Sequence, residues 1–413
     1  MLRVLVGCCS LVLLVVAVSA DDPNLAGKRD KVVVSDAARA IHAEAPVIDG
    51  HNDLPWELRK KSNSSFRNID LLRNQPKQHT DIPRLRKGGV GAQFWAAYVP
   101  VDTAKKGVAV RTTLEQIDIV HRMVKEYPKD LEMASTADDI VRIRKAGRIA
   151  SLIGVEGGHS MDNSLGTLRT FYALGVRYMT LTHSENLDWA DSATDTPKVK
   201  GLTPFGVEVI GTMNALGMMV DLSHVSPDTM KAALQASKAP IIFSHSSARA
   251  VADHPRNVPD DVLTLVKANN GVVMVNFFSG FVVPEGARAM KKMFEAAREL
   301  KAKYPEEEAF NEAMREWTRA NDYPAGTVHT VVDHIEHVIR IAGIDHVGLG
   351  SDYDGITRLP NQIEDVSTYP VITQELLNRG YTKEQILKIL GGNILRVFRD
   401  CEAVAKSLNL GAK

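Results

Sequence analysis

Residues 203–230, TPFGVEVIGTMNALGMMVDLSHVSPDTM, hold one complete repeat of the unit from which the fold is read. Thr203 followed by Pro204 is a helix cap with proline at the first helical position, and Gly217 ends that helix. Met218–Leu222 is a short apolar run of the kind that suits a strand buried on both faces, and it leads to His224. Ser226-Pro227-Asp228 repeats the cap, with an acid in the first turn, ahead of the next helix at Met230–Ala236.

The same order of apolar run, polar residue, loop and amphipathic helix recurs along the chain. The other runs are Pro46–Ile48, Ala92–Val99, Ile149–Val155, Tyr178–Leu181, Pro240–Phe243, Val272–Val275 and His346–Leu349. Thr382 and Gln385 have capping-box spacing before Ile386–Leu390. Eight alternations predict an α/β chain closed into a (β/α)₈ barrel of TIM type. An open doubly wound sheet also alternates, but it would more naturally place its ligand at a Gly-rich first turn, and no run is followed by one. One segment breaks the rhythm. Residues 284–324 are long, charged and helical in pattern, an insertion after the seventh strand that reads either as a solvated addition or as a lid.

The chain has 413 residues, 44% apolar and 24% charged, ample for a sizeable core. Lys plus Arg (50) balance Asp plus Glu (50), so no global charge recruits nucleic acid or an anionic membrane. Residues 1–20 read as a secretory signal, with Arg3, the apolar stretch Leu11–Val18 and the small-residue site Val18-Ser19-Ala20. The competing reading is an uncleaved anchor; cleavage implies an exported protein, periplasmic or extracellular. Residues 21–44 follow as a polar lead-in, 45–400 as one catalytic domain and 401–413 as a tail without the long apolar stretch of a lipid-anchor signal. Cys8 and Cys9 would leave with the signal, so Cys401 has no internal disulfide partner. It is either buried as a small hydrophobe or joined to a second subunit, and a homodimer is left open. Asn63-Ser64-Ser65 is a glycosylation sequon.

Residues just beyond the strand C-termini of such a barrel converge on one mouth. There the sequence places His51 and Asp53, Glu156, His183, His224, His245 and Asp352, on six of the eight strands. A lone histidine is more often a satisfied structural group than a ligand; repeated placement at one rim reverses that judgement. Histidine with carboxylate suits Zn²⁺, bound at about 2.0–2.2 Å. Two such ions need a bridging anion, and Glu156 is placed for it. Two divalent ions carry +4; Asp53, Glu156, Asp352 and one hydroxide carry −4, the compensation a partly buried cluster needs.

These residues lie in longer motifs: Val47-Ile48-Asp49-Gly50-His51-Asn52-Asp53-Leu54-Pro55-Trp56, Gly154-Val155-Glu156-Gly157-Gly158-His159-Ser160 and Leu181-Thr182-His183-Ser184. Further motifs are Asp221-Leu222-Ser223-His224, Phe243-Ser244-His245-Ser246-Ser247, Arg256-Asn257-Val258-Pro259 and Gly350-Ser351-Asp352-Tyr353-Asp354-Gly355. From Val47 to Phe398 the chain resembles the membrane (renal) dipeptidase family. The resemblance implies an amidohydrolase-like barrel that cleaves dipeptides, including those with a C-terminal D-residue. His51 and Asp53 would bind one zinc, His224 and His245 a second, and Glu156 together with a water or hydroxide would bridge them. His183 would contact the substrate and its oxyanion, Arg256 would take the free carboxylate, and Asp352 would move protons. His159 and Asp354 share these loops and are read as supporting groups; His334 and His337, on the helix before the last strand, are read as structural. Alternative readings are a binuclear zinc amidohydrolase for N-acyl amino acids, lactams or lactones, and a non-catalytic binding barrel.

Overall fold

All eight apolar runs become strands of one parallel sheet in the computed structural model, which describes residues 29–304 and 306–410. In chain order the strands are β1 (Val47–Asn52), β2 (Val90–Tyr98), β3 (Leu131–Met133), β4 (Ile149–Glu156) and β5 (Val176–Thr180). β6 (Met219–Asp221), β7 (Ile242–Phe243), β8 (Val272–Val275) and β9 (Val347–Leu349) complete the set. Neighbours run β2-β1-β9-β8-β7-β6-β5-β4, and pairing of β2 with β4 from Ala92↔Ala150 to Tyr98↔Glu156 closes the ring. The closed (β/α)₈ barrel is therefore the fold.

β3 was not expected. It pairs with the first residues of β4 (Leu131↔Ile149 to Met133↔Ser151), while β5 takes over the same edge from Ile153 onward. Only Leu131 of its three residues is buried, so no apolar run announced it.

Strand parity divides the core. Trp95, Ala97, Ile153, Val155 and Val273 face the helical layer, where they pack with Ile117, Val120, Phe171 and Val331. Phe94, Leu152, Tyr178, Met219 and Met274 face the other way and fill the barrel, together with Ile394, Val397 and Phe398. The outer helices start as their caps require: Thr203 accepts from the Gly206 N–H, Ser226 from Thr229, and Gly217 ends its helix in the left-handed region at φ 79°.

Two segments expected to lie outside the barrel domain are helical. Within the expected lead-in, Ser35 caps a helix at Asp36–Glu44, whose buried His42 bonds Thr373 and the Gly88 carbonyl. The helix Asn393–Leu410 runs straight through the expected start of the tail at 401. Cys401 is buried in it, with Sγ 3.2 Å from the Pro240 carbonyl, a free thiol pushed up to about 12 by burial, so it is not available to a second subunit. The expected signal at 1–20 lies outside the described residues. Among those described, no helix is long and apolar enough to cross a membrane.

His334 and His337 are held structurally. The Ala248 N–H donates to His334 Nδ1 at 3.0 Å, and Nε2 faces the Val282 carbonyl at 2.9 Å, so the neutral ring is fully satisfied. His337 Nε2 pairs with Asp260 at 2.6 Å. Burial holds His334 down to about 4, from the usual 6.5. The unfolded chain therefore takes up a proton there that the folded chain refuses. Stability is present in full above pH 6.5 and falls as pH drops toward 4, by about 3 kcal/mol at the limit. Urea unfolding of wild type and His334→Gln at pH 7 and pH 4.5 is expected to show a smaller pH dependence in the variant. Equal dependence would exclude this contribution.

Candidate metal centre

The parallel strands all point one way, so their C-terminal ends form a common rim. His51 lies in β1 and Asp53 just after it; Glu156 ends β4, and His183, His224, His245 and Asp352 stand two or three residues past β5, β6, β7 and β9. Side chains more than 300 residues apart in sequence are thereby gathered. His51 Nε2 is 3.3 Å from Asp53 Oδ2 and 3.6 Å from Glu156 Oε2. Glu156 Oε1 faces the Nε2 atoms of His224 at 3.0 Å, His183 at 3.6 Å and His245 at 3.6 Å.

Ligand-type atoms fall into three overlapping groups, each within 4.8 Å: His51/Glu156/His245, Glu156/His183/His224 and His51/Asp53/Asp352. Glu156 and His51 each belong to two of them. His183 sits as near Glu156 as His245 does, so distance alone does not separate substrate contact from ligand. The His51 and His245 side chains are 0% and 1% exposed, whereas His183 (19%) and His224 (12%) both open to the cavity.

The charge balance is set by burial and proximity. Burial alone would raise the Glu156 carboxyl, but His51 and His183, then hydrogen bonds from His224 and His51, hold it well below the carboxylate range. Burial pushes His224 and His245 well below the usual imidazole value and His183 down to about 4. Asp352 is pushed up to about 8 by burial, with Asp53 and Glu156 adding to the effect. Carboxylate oxygens of Asp53 and Asp352 lie within 4.8 Å of one another and of a His51 ring nitrogen, close enough for the Asp53 charge to add to the effect of burial on Asp352.

Buried groups beneath the rim aim the rings. The Tyr178 hydroxyl lies 2.8 Å from His51 Nδ1 and donates to the Gly50 carbonyl at 3.0 Å. Ser244 Oγ lies 2.8 Å from His245 Nδ1 and donates to Asp221 at 2.6 Å. Asp221 also accepts from Thr180 Oγ1 at 2.6 Å, and Asp49 accepts from Ser351 Oγ at 2.7 Å and Gln93 at 3.0 Å. Each ring thus donates Nδ1–H and presents a bare Nε2 to the centre. Sequence reasoning missed Tyr178, Ser244, Asp49 and Asp221 as working groups. The one signal was a carboxylate at the edge of, or inside, an otherwise apolar run.

The rim backbone is itself constrained, with His224 at φ 69° and Asp352 at φ 66°, a region that non-glycine residues seldom occupy. The Ala193 N–H bonds the His224 carbonyl at 2.7 Å and helps to fix that turn. His159 bonds the Val99 carbonyl at 3.0 Å instead of joining the cluster, and Asp354 accepts the His79 N–H at 2.7 Å.

A cavity of about 390 Å³ opens above these groups. Arg256, Phe278 and Phe281 form one side, and Trp56, Lys60 and Tyr98 another. The Arg256 guanidinium is 2% exposed, its Nε has no hydrogen-bond partner, and it makes only long 3.4 Å bonds to Ser246 Oγ and the His245 carbonyl. Burial brings it down to about 10, still a cation at neutral pH. No described residue of 284–324 lines this cavity. The insertion forms two helices, Pro284–Lys303 and Glu307–Ala320. Near its end Asp322 is ion-paired to Arg358.

The residues fit a metal. His51 Nε2 is fully buried without a hydrogen-bond partner, and His224 Nε2 stands 3.0 Å from His245 Nε2, an arrangement that a shared cation explains. Fold and rim together define a metal-dependent hydrolase barrel. Residues 35–411 match the family described as membrane dipeptidase, peptidase family M19, and the chain belongs to that family. Dipeptidase 3 of Mus musculus and of Rattus norvegicus are each 43% identical over 372 residues, 89% of this chain and 66% and 67% of their own. The chain thus spans about two thirds of the length of these relatives. The probable dipeptidase PvdM from Pseudomonas aeruginosa has the same fold, at TM-score 0.78 and 24% identity over 89% of this chain and 98% of its own. So does a metallo peptidase from Rhodobacter sphaeroides liganded with a phosphinate mimic of L-Ala-D-Ala, at TM-score 0.72 and 23% identity over 86% and 99%.

Ser244→Ala removes the group that orients His245. Metal affinity is expected to fall roughly 10–100-fold, read by competition with a chromogenic chelator. Unchanged affinity would mean that the Asp221–Ser244–His245 chain does not support the centre.

Proposed function

We propose that the chain is a zinc dipeptidase acting on dipeptides with free C-termini, D-residues at that position included. The observation that carries this reading is Arg256, a buried guanidinium with unsatisfied donors beside a metal-type cluster. A planar fork of donors matches a carboxylate through two parallel hydrogen bonds. Its place in a cavity of this size favours substrates that end one residue past the cut bond. The dipeptidase names of the relatives, and the L-Ala-D-Ala mimic bound by the Rhodobacter protein, support the same substrate class.

His51 and Asp53 would hold one zinc ion, His224 and His245 a second, and Glu156 both. When bound, the pair supplies Lewis acidity at the peptide carbonyl and lowers the pKa of water. The chain's own groups do the rest. Arg256 fixes the carboxylate and so sets the scissile carbonyl over the rim. His183 is neutral at pH 7; with Nδ1 accepting from Ser184 Oγ at 3.2 Å, its Nε2–H can donate to the developing oxyanion. Such a donor is worth about 2.7–4 kcal/mol. Asn276 donates to Asp352 Oδ2 at 2.8 Å, and with cations held at the rim this carboxyl would ionise, leaving Oδ1 to take a proton from water and return it to the leaving amine. The pattern of residues 1–20 supports export of this enzyme.

Hydrolysis of simple dipeptides is expected to vanish with chelator and return with zinc. Asp352→Asn should lower kcat by about 10²–10⁴-fold. Arg256→Met should raise KM for a dipeptide far more than for its C-terminal amide. Equal rates on dipeptide and amide in wild type would contradict the carboxylate-binding role.

A further inference from the structure

The cavity has two chemically different ends. Arg256 is carried by the loop after β7, and beside it stand the rings of Phe278 and Phe281. Trp56 and Lys60 come from the helix Leu54–Ser62 that follows β1, three strands away around the ring, and Tyr98 ends β2. A dipeptide anchored by its carboxylate at Arg256, with its carbonyl at the rim, places its N-terminal residue toward the β1–β2 wall and its C-terminal side chain toward the two phenylalanines.

Trp56 and Lys60 are four residues apart on one helix and so share the face that lines the cavity. The Trp56 ring meets Tyr98 edge-on at 5.2 Å, so two aromatic rings line the cavity along with Lys60. The charge on this wall is not cancelled. Glu57 is shared by Lys60 and Lys61, so two ammonium groups face one carboxylate. Arg59, over the Trp56 ring, is engaged by Glu115 at 2.6 Å. Asp354 also borders the cavity, but its side chain is 2% exposed and accepts the His79 N–H. The Lys60 side chain, 51% exposed, keeps access to solvent and to a ligand.

We infer that Lys60 is a specificity-determining residue, and that the preferred substrates carry an acidic side chain on the N-terminal residue and an apolar one at the C-terminus. This rests on the dipeptidase reading and refines it.

The test is kcat/KM of the zinc-loaded full chain on Glu-Leu, Gln-Leu and Lys-Leu. The expected order is Glu above Gln above Lys, with roughly fivefold between the first two, as a half-exposed ion pair gives. Lys60→Gln should abolish the Glu-over-Gln preference and Lys60→Glu should invert it. Lys61→Glu makes the same charge change one residue away, outside the cavity lining, and should keep the wild-type order. Equal rates on Glu-Leu and Gln-Leu in wild type overturn the inference while leaving the dipeptidase reading intact. So does an equal shift of the order by Lys60→Glu and Lys61→Glu, which would indicate a general field. No hydrolysis of any of the three overturns both.

Discussion

A fully buried carboxylate facing four imidazoles is the constraint on which the rest of the structure depends. Glu156 lies at the end of β4 with both oxygens turned to ring nitrogens, and without compensating charge such burial would be costly. Burial drives His224 and His245 toward neutrality, which suits them to bind a cation more than to act as acids, whereas Tyr178, Glu156 and Asp53 outweigh burial at His51 and hold it above the usual imidazole value. The site is therefore poised for metal by its own desolvation.

That poise needs rigid support, and the barrel supplies it through interior glycines and buried carboxylates. A Cβ on Gly350 would stand 1.9 Å from the Ser244 carbonyl, and one on Gly50 2.4 Å from it, so both positions must stay bare for the strand ends to close up beneath the rim. Asp49 ties β1 to β2 and to Ser351, while Asp221 ties β5 and β6 to Ser244. Through Tyr178 and Ser244 this packing reaches His51 and His245. Errors of an ångström in the strands would be felt directly at the ligand atoms.

Much of this was legible in the sequence, for a definable reason. Strands buried on both faces leave continuous apolar runs, and the residue after each run stands at the rim, so His51, Glu156, His224, His245 and Asp352 could be named before their distances were known. What escaped has equally physical causes. β3 buries one side chain of three and leaves no run. The helix Asp36–Glu44 is short and polar, and its docking through His42 depends on partners 46 and 331 residues away. Asp49 and Asp221 read as polar interruptions because their partners lie on other strands.

The most direct measurement of the central claim is a crystal structure of zinc-loaded protein with anomalous scattering recorded at the zinc edge. Two peaks are predicted on either side of the Glu156 carboxylate, one beside His51 and Asp53, the other beside His224 and His245. Peaks elsewhere, or a rim with no scatterer at saturating zinc, would contradict the account.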